Sequence, residues 1–68
     1  MDIRVNGEKK TVPPDSTLHD LLIALDLDPT QPGIAVALDR EVIPKTTWRE
    51  VTLTENVEVE IIRAVQGG

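Results

Sequence analysis

Sixty-eight residues with no cysteine, one histidine and a formal net charge of −5 exclude several classes of function at once. A chain this short makes one domain, buries only ~60% of the surface its unfolded form exposes, and leaves no room for a large enclosed active site. Without thiols it carries no disulfide, thiolate metal site or persulfide, and a single histidine is too little for a dedicated transition-metal site. A pI near 4.6 argues against nucleic acid, which requires a basic stripe, and suits docking on the basic surface of a larger protein. The longest apolar runs, such as Ile34 to Leu38, fall far short of a membrane span, and Met1-Asp2-Ile3-Arg4 opens no export signal. A cytoplasmic address is the expectation.

Residues 1 to 12 read as a β-hairpin. Ile3 and Val5 alternate with Asp2 and Arg4, and Asn6-Gly7 is a strong signal for a type I′ turn. The return strand, Glu8 to Val12, sets Lys10 opposite Ile3 and on its face. The aliphatic stem of Lys10 is therefore expected along the margin of the core, as on an edge strand. Pro13-Pro14-Asp15-Ser16 breaks the strand. Thr17 is the predicted N-cap of a helix, with Asp20 at the third helical position in a capping-box-like pair. Leu18, Leu21, Leu22 and Leu25 recur at helical spacing and form one apolar face. The helix must end before Asp28-Pro29, because a residue preceding proline resists helical angles. Thr30 to Gly33 is a loop.

Ile34-Ala35-Val36-Ala37-Leu38 is apolar on both faces, the pattern of an interior strand. Asp39-Arg40 turns the chain, Glu41-Val42-Ile43 returns, and Pro44 stops it. Lys45 to Arg49 reads as an irregular or single-turn segment carrying Trp48, and Thr54-Glu55-Asn56 as a turn. Val57, Val59 and Ile61 alternate with Glu58 and Glu60 in a half-buried last strand running to about Val65. The predicted class is α+β, a small mixed sheet with one helix packed on one face. Its first and last strands pair in parallel at the centre, a pairing that the intervening helix makes possible. Residues 1–65 form the domain, and 66–68 a flexible tail.

Most polar candidates have an ordinary structural explanation. His19 lies in the first helical turn, off the leucine face and without an evident partner, and reads as a surface histidine. Trp48, the only aromatic residue, is expected to pack in an otherwise aliphatic core. Asp20, Asp26 and Asp28 read as a solvated helix face. Glu58 and Glu60 project from the outward face of the last strand, where docking of a partner and simple solubility are both open. The end of the chain, Gln66-Gly67-Gly68, has its own chemical sense. A Gly-Gly pair closes roughly 1 chain in 200 by chance and means little alone. Lacking Cβ atoms, however, it can enter a narrow tunnel in extended form and present an unhindered carboxylate for activation as an acyl-adenylate.

The whole chain resembles the thiamine-biosynthesis sulfur-carrier family (ThiS), whose members have the ubiquitin-like β-grasp fold. The resemblance lies in Ile3-Arg4-Val5-Asn6-Gly7, in Thr17-Leu18-His19-Asp20-Leu21-Leu22 and in Gly33-Ile34-Ala35-Val36-Ala37-Leu38-Asp39. It continues through Val42-Ile43-Pro44-Lys45-Thr46-Thr47-Trp48 and from Val57 to Gly68. The departures, Glu55-Asn56 and Arg40, fall in turns. The resemblance implies a protein co-substrate and not an enzyme. It binds no cofactor or metal itself, and Gly68 is its modified residue. A ubiquitin-activating-like adenylyltransferase would use ATP and Mg²⁺ to adenylate Gly68, recognising the tail through Gly67 and Gln66. A persulfide donor protein would supply sulfur, and the resulting thiocarboxylate would pass it to thiazole synthase. Carriers for molybdopterin or tRNA thiolation share this chemistry, and a ubiquitin-like modifier conjugated through Gly68 shares the tail.

Overall fold

The computed structural model describes residues 1–64, so the predicted tail at 66–68 and the expected strand end at Val65 lie outside the described residues. Chain order is β1 (Asp2–Val5), β2 (Glu8–Thr11), α1 (Leu18–Ala24), β3 (Ile34–Leu38), β4 (Glu41–Val42), a 3-10 turn (Lys45–Thr47) and β5 (Glu58–Arg63). The strands form one sheet in the order β2-β1-β5-β3-β4. The β1–β5 pair at its centre is parallel, and the other three pairs are antiparallel. This is the predicted mixed sheet with its crossover helix.

Asn6 (φ 50°) and Gly7 (φ 85°) both take left-handed angles between the paired Val5 and Glu8, so the first turn is the expected two-residue type I′ hairpin. A second one joins β3 to β4 through Asp39 (φ 47°) and Arg40 (φ 72°), although neither residue is glycine. The predicted cap of α1 is complete. Thr17 Oγ1 accepts from the Asp20 backbone N–H at 3.1 Å, and the Asp20 carboxylate accepts from the Thr17 N–H at 3.0 Å. The helix closes at Leu25, and Asp26 follows at φ 60°, two residues ahead of Asp28-Pro29.

Leu18, Leu21 and Leu22 bury the helix face against Ile3, Val5, Val36 and Val59 of the sheet, with Leu25 packed at its margin. Val12, Trp48, Leu53 and Val57 complete this core. Trp48 is 2% exposed, and its indole N–H donates to the Ile43 carbonyl at 3.0 Å, so the ring packs without leaving a buried donor unpaired.

Three expectations need correction. β3 is interior to the sheet, yet only its Val36 is buried and Ala35 is exposed. Among the described residues no helix or strand covers its apolar outward face, because α1 packs on the opposite side. Lys10 pairs with Ile3 on an edge strand as predicted, but its side chain is exposed and not laid along the core margin. β4 is confined to Glu41–Val42, one residue short of the expected Ile43. Ile43 still donates to Val36, and Pro44 then opens the 3-10 turn that carries the chain away from β3.

Candidate functional site

β5 is the strand on which the predicted site depends, because it leads toward Gln66, Gly67 and Gly68. Those three residues lie outside the described residues. The root of the tail is held on both sides of β5. β3 pairs along β5 from Leu38↔Val59 to Ile34↔Arg63, and the Ala64 N–H donates to the Gly33 carbonyl at 2.7 Å. On the other side, β1 pairs through Arg4↔Glu58 and Val5↔Val59. A five-residue stretch, Ala64 to Gly68, follows the strand in the sequence.

Glu58 and Glu60 are both exposed on the outward face of β5, as their alternation with buried valines predicts. Across that face Glu58 sits beside Arg4, and Glu60 beside Ala37. Sequence reading missed the apolar half of the same surface. Ile62 is 62% exposed and pairs with Ala35, and Val42 is 71% exposed and pairs with Ala37. The available signal was parity: Ile62 shares the outward register of Glu58 and Glu60 and breaks the alternation of β5.

The remaining candidates are held by local structure. Asp20 completes the helix cap, and the hydrogen bond from the Thr17 backbone, with that from its side chain, holds its carboxyl below the usual range. Asp28 accepts from the Thr30 hydroxyl at 2.6 Å and from its N–H at 2.9 Å, and these bonds lower its pKa. Asp2 is lowered chiefly by the Thr11 hydroxyl and then by the Lys9 charge. Asp26 supplies the left-handed residue after the helix. His19 is half-buried and borders a shallow cleft with Lys45, Trp48 and Arg49, while its backbone N–H donates to the Trp48 carbonyl. The Lys45 ammonium lies 5.8 Å from the centre of the Trp48 ring. Among the described residues no group of three or more His, Asp or Glu side chains could hold a metal ion. Nor is any helix there long and apolar enough to cross a membrane.

A five-stranded mixed sheet with a parallel central pair and one helix across a single face defines the ubiquitin-like β-grasp class, the class predicted. The sequence matches the ThiS family over residues 3–68. The chain belongs to that family, the sulfur carriers of thiamine biosynthesis. It is 25% identical over 68 residues to the sulfur carrier protein ThiS of Escherichia coli, covering all of both chains. The crystal structure of the thiamine biosynthesis protein ThiS from Geobacter metallireducens superimposes with a TM-score of 0.82 at 27% identity, again covering all of both. The thiazole synthase of Magnetococcus marinus is 31% identical over the whole chain, which spans 20% of that longer protein.

Proposed function

We propose that this protein carries sulfur on its own carboxyl terminus for the formation of the thiazole ring of thiamine. The observation that carries the reading is the family match from residue 3 to residue 68, which includes the Gly67-Gly68 end. In this reading the Gly68 carboxylate attacks the α-phosphorus of ATP on a partner adenylyltransferase, with Mg²⁺ bound there, and pyrophosphate leaves. The terminal sulfur of a donor protein's persulfide then displaces AMP. Cleavage of the S–S bond by a further thiol leaves a thiocarboxylate on Gly68. The chain acts as co-substrate in each step, since every catalytic group belongs to a partner. Gly67 and Gln66 are the residues by which the tail is recognised.

The thiazole synthase relative aligned with the full chain favours thiazole formation over molybdopterin synthesis or tRNA thiolation as the destination of the sulfur. Docking uses the outward sheet face. Glu58 and Glu60 steer it onto a basic partner surface, and Ile62 and Val42 supply apolar area beside them. A cytoplasmic location suits this set of partners.

Incubation with ATP, a matched adenylyltransferase and a sulfur source, followed by mass spectrometry of the intact protein, tests the reading. Conversion of the terminal acid to a thioacid is the expected result. Deletion of Gly68, or addition of one residue after it, should abolish AMP transfer and leave the melting curve unchanged. Normal adenylation of the extended tail would defeat the proposal.

A further inference from the structure

The parallel ladder between β1 and β5 continues past the point where the β1 backbone turns away, and a side chain continues it. The Asn6 N–H still donates to Val59 at 2.8 Å. Beyond that bond the chain folds back through Gly7 into β2, so no backbone remains to serve the next position on that side of β5. The Asn6 carboxamide takes that place. Its Oδ1 accepts from the Ile61 N–H at 2.8 Å, and its Nδ2 donates to the Ile61 carbonyl at 3.3 Å. One planar amide thereby satisfies both main-chain groups of Ile61, as a strand residue would.

The other type I′ turn supplies an internal control. Asp39 holds the opposite end of β5, where its backbone N–H donates to the Glu58 carbonyl at 2.8 Å and its carboxylate accepts from the Glu58 N–H at 3.1 Å. At that end the main chain provides the donor, so the side chain need only accept. At Asn6 the side chain must both donate and accept. A carboxylate cannot donate, and it would set a negative oxygen against the Ile61 carbonyl. The two turns therefore differ in the side chain they can use, and Asn6 is the demanding one.

We infer that Asn6 is a positioning residue for the sulfur-transfer reaction: its carboxamide anchors the last turn of β5 and so fixes where and in which direction the reactive tail leaves the sheet. Ile61 stands three residues before Ala64, whose N–H makes the final backbone bond to Gly33 on the β3 side. With Asn6 in place, β5 is held from both sides as far as Ile61 and from the β3 side as far as Ala64. Without it, the β1 side holds the strand only as far as Val59, and beyond that point the β3 side alone fixes its direction. The function of the anchor rests on the proposed chemistry at Gly68, whereas the anchoring itself does not.

The test uses three variants of the full-length chain. Asn6→Asp keeps a turn-compatible residue and removes the donor. Asn6→Gly keeps the left-handed turn and removes the side chain altogether. Asp39→Asn retains an acceptor at the other end and serves as the control. Loss of a single exposed hydrogen-bonded pair predicts amide exchange at Ile61 faster by about tenfold in both Asn6 variants. Ile62, which faces Ala35 of β3, should change little. In adenylation by a matched adenylyltransferase, the Asn6 variants should show a lower kcat with KM nearly unchanged, and Asp39→Asn should behave as wild type. General destabilisation would instead lower the concentration of folded carrier, raising apparent KM and sparing kcat at saturation. Unchanged Ile61 exchange would overturn the anchor, and faster exchange with an unchanged kcat would overturn its role in the reaction. If the wild-type protein is not adenylated at all, the chemistry proposed for Gly68 fails while the exchange result still decides the anchor.

Discussion

Both faces of the sheet carry apolar side chains, but they do different work. On the inner face, Ile3, Val5, Val36 and Val59 lie under α1, Trp48 and Leu53, almost wholly removed from water. On the outer face, Ala35, Ala37, Val42 and Ile62 are bordered by Arg4, Glu58 and Glu60, and no helix or strand among the described residues covers them. The inner residues hold the domain together. The outer ones contribute little to folding, because a side chain that stays in water gains almost no transfer free energy. Contiguous apolar surface rimmed by charge is characteristic of contact sites, which fits the docking role proposed for this face.

The contrast breaks most visibly at Trp48. Replacement by alanine should cost about 3–5 kcal/mol through lost contacts and a residual cavity. A domain of this size has a total stability of only about 5 kcal/mol, so the variant should be largely unfolded by circular dichroism at room temperature. A folded Trp48→Ala protein that merely lost partner binding would move Trp48 from the core to the interface. A smaller loss belongs to the cap of the inner-face helix. Thr17→Ala should lower stability by about 1 kcal/mol in urea titration. Ile62→Ser and Val42→Thr, on the open face, should each stay within about 0.5 kcal/mol of wild type. A large loss at either position would mean that the outer face is structural after all.

The glutamates give the subtlest separation. Changing Glu58 and Glu60 together to glutamine should leave stability nearly intact, slow association with the adenylyltransferase and flatten its dependence on ionic strength. Charges beyond a Debye length, ~8 Å at physiological salt, act mainly on the encounter. Equal salt slopes for the two proteins would reduce these residues to solvated surface. Acid titration probes the capping carboxylates. Asp2, Asp20 and Asp28 all have lowered folded-state pKa values, so their stabilisation is fully present above the unfolded aspartate range near ~3.9. It is lost as the pH falls from there through the lowered folded values. Thr17→Ala should therefore flatten the acid limb of the stability curve by removing the interactions that hold Asp20 charged.

Much of this architecture is legible in the residues because the informative signals are local. The Asn6-Gly7 turn, the Thr17–Asp20 cap, the helical spacing of leucines and the alternation in β5 each involve neighbours within one turn or strand. The open outer face is not, since Ala35 and Ala37 in a short apolar run look the same whether or not a second layer covers them. Asp39-Arg40 and Thr54-Glu55-Asn56 are legible as turns, but the left-handed angles of Asp39, Arg40 and Asn56 are not, because they occur without the glycine that would announce them. The anchoring role of Asn6 depends on a partner 55 residues away, which no local pattern contains. For the tail, glycine chemistry and family resemblance together point to Gly68, although no side chain there can be read by periodicity.

The Asn6–Ile61 bonds also bear on how this protein ages. An asparagine followed by glycine is chemically fragile: the unhindered Gly7 nitrogen can attack the Asn6 side-chain carbonyl, expelling ammonia and closing a succinimide ring. Water then opens the ring to aspartate or isoaspartate. Here the amide is pinned by both its oxygen and its nitrogen, so the attack must wait until those bonds open. The same contacts thus shield the bond most prone to spontaneous damage. When that protection fails, the product carries a carboxylate unable to restore the lost donor, and a stored sample records its own history of local opening as a slow accumulation of deamidated chains.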